Sequence, residues 1–546
     1  MSHTLHIKHL FTLGITATII AGCAGAPAPL LDESIEVSPF KSVSTGISHT
    51  WNKDTSFPFT GGAAIDIDNN GTMEVFISGG HNQDDSLLSY ADGKASNSID
   101  GTGLSQKTAS YGATAIDIDN DGNTDLIVAR DDGVWLHMNE GGSFSAKKLG
   151  NLSSDSAATL TVAVADIDLD GDVDLYLSNF IEYKSWVSST FNKPEHVRYN
   201  QLLRNDGNFE FTDITEESGT AGSQNTFLSV FSDLDQDGFQ DLVLSNNTGK
   251  LEILHNEGDS TFTKSTYDSG IGYWMGLGIG DFDGDGDQDI AASNISNTIP
   301  NRFVRGDLGD DQTLTREWVM LRNDGDRQFT DVADATGLTG QGFGWGIVFE
   351  DLNLDGSLDL LAAQSYIKWP VHKLSPLSGR AMLQDARSDE RTFKNVPGLN
   401  LSDRHFGQSA IIADLDGDAR QDVVWVNMDG PVLAALNRYT NDVVTLAVPE
   451  SAKWLGARVT AQSSSGESYT REVNNAIGMQ TDQSPHLSFA MADGEEIDNV
   501  MVAFADGSAM SFEVEGPGFI NATQRLAEGS FNLIRPADAD RVVASR

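Results

Sequence analysis

The chain has 546 residues and carries 80 acidic against 35 basic side chains, a formal net charge of −45. A surface this acidic repels nucleic acid and anionic lipid and favours cations, so no nucleic-acid partner is expected. Hydrophobic residues make up 39% of the chain, enough to exclude wholesale disorder, and 54 glycines among short Val, Ile, Leu and Phe runs favour turn-rich β structure.

At the N-terminus, Lys8 precedes the apolar run Leu10 to Ala21, which is too short to span a bilayer and has the length of a signal-peptide hydrophobic region. Cys23 is the one cysteine, so an internal disulfide is impossible. The tetrapeptide IAGC, Ile20 to Cys23, resembles a bacterial lipobox. That resemblance implies cleavage before Cys23 and diacylglycerol on its thiol; an ordinary secretory signal is the alternative. Ala24 follows, and the resemblance to sorted lipoproteins, which carry Asp there when retained at the inner membrane, favours the outer membrane. Residues 1–22 are expected to be a signal peptide and 23–39 a linker, in a bacterial envelope protein whose only membrane contact is its anchor.

One nine-residue pattern then recurs seven times, with starts 48 to 70 residues apart. It reads DIDNNGTME at Asp66, DIDNDGNTD at Asp117, DIDLDGDVD at Asp166, DLDQDGFQD at Asp233, DFDGDGDQD at Asp281, DLNLDGSLD at Asp351 and DLDGDARQD at Asp414. Oxygen-bearing side chains at positions 1, 3 and 5 lie on one side of a tight loop, Gly at 6 permits the turn, and position 9 closes the shell. The expected ligands are Asp66, Asp68, Asn70 and Glu74; Asp117, Asp119, Asp121 and Asp125; Asp166, Asp168, Asp170 and Asp174; Asp233, Asp235, Asp237 and Asp241; Asp281, Asp283, Asp285 and Asp289; Asp351, Asn353, Asp355 and Asp359; and Asp414, Asp416, Asp418 and Asp422. Ca²⁺, which takes six to eight oxygens in flexible geometry, suits them better than Mg²⁺, and up to seven ions are expected. An EF-hand is excluded because position 12 is Val128, Leu177 or Leu244 inside a strand-like run rather than Glu. The first and sixth loops, with Asn70 and Asn353, are weaker, and Ala419 stands in the seventh where Gly is usual.

Apolar runs such as DLIVA and DLVLS follow each loop, and ATAI or GLGIG precede them, so each loop joins two strands of a hairpin. A third strand and an N-[DE]-G turn lead to a fourth, as in YNQLLRNDGNFEFTDIT. Seven such units read as an all-β, seven-bladed propeller, with a linear solenoid as the alternative. Phe40 to Thr45 looks like a stray fourth strand, expected to complete the last blade and latch the ring. The units resemble FG-GAP/VCBS repeats of the integrin α-subunit-type propeller, here residues 40–445.

Beyond them, ARVTAQ, SYTREV, HLSFAM, DNVMVAF and AMSFEV read as strands of a small β-sandwich. Gly456–Val459, Arg471–Val473, QTDQSPHLSFAM and Asp506–Ser508 resemble the UnbV/ASPIC domain, assigned to residues 446–516, with 517–546 a partly ordered tail. Repeats plus that domain resemble the cartilage acidic protein family.

The third, fifth and sixth units are enlarged after their second strand, on the face opposite the loops. Tyr183, Trp186, Arg302, Arg305, Trp369 and His372 lie in these insertions and are the candidate ligand-binding residues. Tyr273, Trp274, Phe343 and Trp345 lie in inter-blade connections on the same side; Trp274 and Trp345 are read as inter-blade packing. The loop face is expected to be a ring with little relief. No G-x-S-x-G, H-E-x-x-H, nucleotide loop or C-x-x-C occurs, so the chain is read as a monomeric protein- or glycan-binding surface module rather than an enzyme. The alternative is a lyase or dehydratase acting on an acidic polysaccharide through His372, Arg302 and Tyr183.

Overall fold

The computed structural model describes residues 38–52, 54–150, 157–182, 190–193, 198–222, 224–368, 373–385, 388, 390–490 and 496–534. Cys23, Tyr183, Trp186, Trp369 and His372 lie outside them, as do the signal segment and most of the linker.

Among the described residues the chain forms seven units of four antiparallel strands, followed by two further sheets. Their first strands are Gly62–Ile65, Ser110–Ile116, Ala157–Ala165, Asn225–Ser232, Leu277–Gly280, Ile347–Glu350 and Gly407–Ala413. Each first strand lies against the next, and the last returns to the first, so the units close into a ring. A linear solenoid is thereby excluded, and the all-β fold is a β-propeller. The first two strands of a unit are almost entirely buried, wholly so in Ser110–Ile116 and Asp125–Arg130. This explains why these runs are continuously apolar rather than alternating.

Phe40–His49 pairs antiparallel with Gly430–Asn437, from Phe40↔Asn437 to His49↔Gly430, with a shift of register between Ser44 and Ser48. It supplies the fourth strand of the seventh unit, whose other three come from the opposite end of the propeller. Phe40 is fully buried, edge-on to Tyr439 with ring centroids 6.2 Å apart, and the Arg438 amide donates to Pro39 O at 2.7 Å. The closure is thus made by strand pairing across the seam.

The C-terminal domain is a sandwich of two sheets. One orders Leu487–Ala490, Val443–Ala447 and Gly518–Asn521; the other orders Ser468–Glu472, Arg458–Ser463, Ile497–Ala503, Ala509–Glu513 and Asn532–Ile534. Val444, Leu446, Phe489 and Ile520 from the first meet Val459, Val500, Val502 and Phe512 from the second in one core. The expected boundaries shift at both ends. Val443–Ala447 belongs to this domain, so a cut between 445 and 446 divides a strand. Residues 518–534, assigned to the tail, form Gly518–Asn521 in parallel with Val443–Ala447, the helix Ala522–Glu528, and Asn532–Ile534. The helix is capped by Asn521, which accepts from Gln524 N at 2.9 Å, and by Gly529 at φ 70°. A parallel pairing between distant segments leaves no local mark in sequence, which is why this one was not anticipated.

A second departure concerns the ring's axis. The segment Ile477–Ser484 of the C-terminal domain runs inside it. Gly478 exchanges backbone hydrogen bonds with Leu277 at 2.9 and 3.1 Å, and Gln480 O accepts from Gly62 N at 3.3 Å. Asp482 Oδ2 accepts from Ala115 N at 2.7 Å, and Ser484 N donates to Ile412 O at 2.9 Å. Four units of the ring thus hold the segment. A Cβ on Gly61 would lie 1.8 Å from Gln480 O, so the first strand needs glycine at this approach. At the tip, Met479 is fully buried among Phe57, Phe59, Tyr111, Met275 and Trp345. Among the described residues, the axis is filled by protein.

Candidate functional site

The acidic loops share a hydrogen-bond scheme with two departures: Asp281 in the fifth accepts from the amides of positions 4 and 6, and Asp241 in the fourth is met by His255 and Asn256 N rather than by position 2. The carboxylate at position 1 accepts from the amides of positions 5 and 6, for example Asp121 N and Gly122 N to Asp117 at 3.1 and 2.9 Å. The same pair is 3.0 and 2.9 Å in the third loop, and 3.0 and 2.8 Å in the sixth. Position 9 accepts from the amide of position 2, such as Ile118 N to Asp125 at 3.1 Å and Phe282 N to Asp289 at 3.0 Å. Position 6 sits at φ between 86° and 93° wherever it is Gly, and Ala419 accepts φ 68° with its side chain buried. Position 4 is left-handed too, at Asn69, Asn120, Leu169, Gln236 and Leu354, a requirement that the sequence pattern did not reveal.

This scheme converges the side chains. One oxygen from each of Asp117, Asp119 and Asp125 lies within 4.8 Å of the others, and the same holds for Asp166, Asp168 and Asp174, for Asp233, Asp235 and Asp237, and for Asp281, Asp283 and Asp285. Burial pushes their carboxyls upward, Asp125 and Asp351 to about 7 and Asp174 and Asp233 to about 8, with carboxylate repulsion adding to it. Asp168 Oδ1 and Asp416 Oδ1 are buried with no hydrogen-bond partner. Buried, converging and partly unsatisfied carboxylates are the donor set that a hard divalent cation fits.

Two loops differ. In the seventh, Arg438 donates to Asp416 at 2.5 Å and to Asp418 at 3.0 Å; it stands where other units have the acidic residue of N-[DE]-G. In the fourth, Arg327 donates to Asp235 at 2.5 Å, and His255 Nδ1 lies 3.0 Å from Asp241 Oδ2.

The asparagine of the N-[DE]-G step does more than turn the chain. Its backbone amide donates to the position 9 carboxylate of its own loop, and its Nδ2 donates to the position 2 carbonyl of a neighbouring one. Asn139 N donates to Asp125 at 2.7 Å and Nδ2 to Ile67 O at 3.0 Å; Asn323 N donates to Asp289 at 2.8 Å and Nδ2 to Leu234 O at 2.6 Å. Asn437 reaches Leu352 O at 3.2 Å, and Gln384 takes the role in the sixth unit with Phe282 O at 2.8 Å. The recurrence of Asn at this step was the available signal.

The loop face is not bare. The C-terminal domain packs on it: Asp117 N donates to Glu450 O at 2.7 Å, Asp233 N to Glu472 Oε1 at 3.0 Å, and Arg458 Nη2 to Gly286 O at 2.6 Å. Thr445 Oγ1 donates to Ala419 O at 2.7 Å. The expectation of an open ring with little relief is therefore corrected; contacts this distant in sequence have no local signature.

On the opposite face, the insertions bind one another. Asp307 Oδ1 accepts from Phe191 N at 2.5 Å, and Asn192 Nδ2 donates to Asp307 O at 3.1 Å. Ile295, Val304 and Leu374 from the insertions roof an aromatic cluster that includes Phe180, Phe227, Tyr273, Phe343 and Trp345. Tyr273, Trp274, Phe343 and Trp345 are all buried, so they pack and are not presented to a ligand. Arg305 is committed to its own loop through Gly309 O and Gln312 O. Arg302 is exposed, with its guanidinium 4.6 Å from the Phe303 ring centroid. Phe303 is 54% exposed and Tyr199 67%, large apolar side chains in solvent whose exposure carries no local mark in the sequence.

Models of an FG-GAP-like repeat match residues 66–128, 117–177 and 233–292. A model of ASPIC and UnbV matches residues 449–518. The chain carries FG-GAP-like repeats and an ASPIC and UnbV domain. The repeat matches cover the first five acidic loops; the last two, with Asn353 and Ala419, lie outside them. No curated protein matches the chain. Solved structures similar to it include an Agrocybe aegerita protein described by its recognition of non-reducing terminal N-acetylglucosamine, at 16% identity over 70% of this chain and 90% of that one, with a TM-score of 0.37. BBS1N, solved in complex with ARL6DN, is 10% identical over 74% of this chain and 98% of that one, at 0.42. Saccharomyces cerevisiae Sqt1 is 11% identical over 72% and 99%, at 0.36. FG-GAP-like repeats joined to an ASPIC and UnbV domain make a binding or adhesion module.

Proposed function

We propose that this protein is a calcium-stabilised, lipid-anchored binding module of the bacterial cell envelope that takes a protein or glycan ligand on its insertion-bearing face. One observation carries the choice of face. The C-terminal domain packs on the acidic-loop face and fills the axis, whereas the insertions present Tyr199, Arg302 and Phe303 to solvent. Exposed aromatics beside an arginine are the composition of interface hot spots. Calcium is assigned to the loops, with Arg438 as an internal competitor in the seventh, and Cys23 to the anchor. A monomeric state and kinship with the cartilage acidic protein family belong to the same proposal. The polysaccharide lyase or dehydratase reading gains nothing from Arg302, which lies at the surface beside Phe303.

The test is a pull-down from envelope and medium with the ectodomain and with a Tyr199→Ala, Arg302→Ala, Phe303→Ala triple variant. Partners retained by the triple variant and lost on altering Arg471 would move the site to the ASPIC and UnbV domain and overturn the proposal. For the anchor, Cys23→Ser is expected to abolish lipid labelling and membrane retention; persistence in the membrane fraction refutes it.

A further inference from the structure

On the insertion-bearing side, between the fifth, sixth and seventh units, lies a cavity of about 440 Å³ lined by Arg380, Arg404, Gln341, Gln364, Asn395 and Thr298 among others. The size is that of a small-ligand site. Two of its lining residues are arginines. Among the described residues Arg130, Arg204, Arg322, Arg327, Arg420 and Arg438 pair with carboxylates, whereas Arg380 and Arg404 do not, like Arg302, Arg305 and Arg458 elsewhere. The nearest acidic neighbour in sequence, Asp403, is buried and turned to His405, whose Nδ1 lies 2.9 Å from it. What sets the site apart is that two guanidinium groups share one cavity and, among the described residues, meet no carboxylate, which leaves a demand for an anion in a chain of net charge −45.

The groups around them are held in place. Arg380 begins the strand Arg380–Asp385, and its Nη1 donates to Gln341 Oε1. Gln364 is buried and donates from Nε2 to Gln341 O at 2.7 Å. Burial lowers the Arg380 guanidinium from its ordinary range, and no neighbouring carboxylate opposes that shift. Amides and hydroxyls, from Gln341, Gln364, Asn395 and Thr298, outnumber apolar side chains in the lining. A sugar ring offers hydroxyls to such groups, whereas a peptide anchor calls for an apolar pocket.

We propose that this cavity binds a uronate-type acidic sugar residue, its carboxylate held by Arg380 and Arg404 and its hydroxyls by the surrounding amides. The inference rests on the reading of this face as the ligand face, and it names the ligand class. The probe is an oligogalacturonate titrated calorimetrically into the calcium-loaded ectodomain, against the neutral oligogalactose of equal length and an oligoglutamate. Exposed Arg404 is changed to Glu, and Arg380→Gln is the second variant, with thermal unfolding followed for both. Binding of the oligouronate alone, weakened at least tenfold by Arg404→Glu at unchanged unfolding temperature, is the expected result. Oligouronate binding untouched by Arg404→Glu, or none at all, overturns the inference. Equal, arginine-dependent binding of oligoglutamate overturns the saccharide assignment. Binding that survives Arg404→Glu but is lost on Phe303→Ala refutes this cavity while leaving the face itself standing. Loss of every partner's dependence on Tyr199, Arg302 and Phe303 refutes the face instead.

Discussion

Replacing Asn323 by Ala tests whether the N-[DE]-G asparagine is an inter-unit tie. Its Nδ2 donates to Leu234 O at 2.6 Å and to Gln288 O at 3.2 Å, and its Oδ1 accepts from Gly325 N at 3.1 Å. The residue is fully buried. Alanine leaves Leu234 O and Gln288 O without that donor, and each unsatisfied buried group costs about 1–3 kcal/mol. The Gly325 amide lies at a partly exposed turn and regains water. We therefore expect a loss of about 3 kcal/mol. Asn205 is the internal control: its Nδ2 makes a single 3.3 Å bond to Val173 O in its own unit, so Asn205→Ala is expected to cost about 1 kcal/mol. The assay is urea unfolding of the ectodomain at fixed calcium, comparing midpoints at constant slope. If Asn323→Ala costs no more than Asn205→Ala, the asparagines are turn residues and the tie does not exist.

Chelation with EDTA is expected to lower the unfolding temperature markedly, since each site saturated at 100 Kd adds about 2.7 kcal/mol; an unchanged melt identifies the loops as ordinary turns. The pH dependence follows from the raised carboxyls, Glu74 and Asp125 at about 7 and Asp174 and Asp233 at about 8. The chelated folded state binds more protons than the unfolded chain, whose carboxylates titrate near 4, so its stability is expected to fall as pH rises from 5 to 8. The calcium-loaded protein is expected not to show that fall; parallel profiles would refute the assignment. Arg438→Gln removes the guanidinium from Asp416 and Asp418, and calcium stoichiometry by equilibrium dialysis is expected to rise by about one. Arg130 is buried between Asp85 at 2.7 Å and His137 at 3.3 Å, so Arg130→Ala is expected to cost about 3–5 kcal/mol in urea unfolding by stranding the Asp85 charge.

Repetition made the propeller legible. A loop such as DIDNDGNTD specifies its turn within nine residues, and the apolar runs on either side declare two buried strands, so the unit can be read without knowing its neighbours. Phe40–His49 could be recognised as a displaced fourth strand because it repeats the local pattern of FTDIT and FTDVA. The carboxylate cluster of each loop was legible for the same reason: its members are close in sequence. What tertiary structure alone decided are the contacts between segments with no shared pattern. Asn323 reaching Leu234, Arg438 entering the seventh loop, and Arg380 meeting Gln341 depend on where separate strands end in space. The largest of these is the course of Ile477–Ser484 through the ring, held by Gly62, Ala115, Leu277 and Ile412. Hydrophobic periodicity tells a segment which face to bury, but not against which distant partner. That choice is made by the shape of the space that the closed ring leaves along its axis.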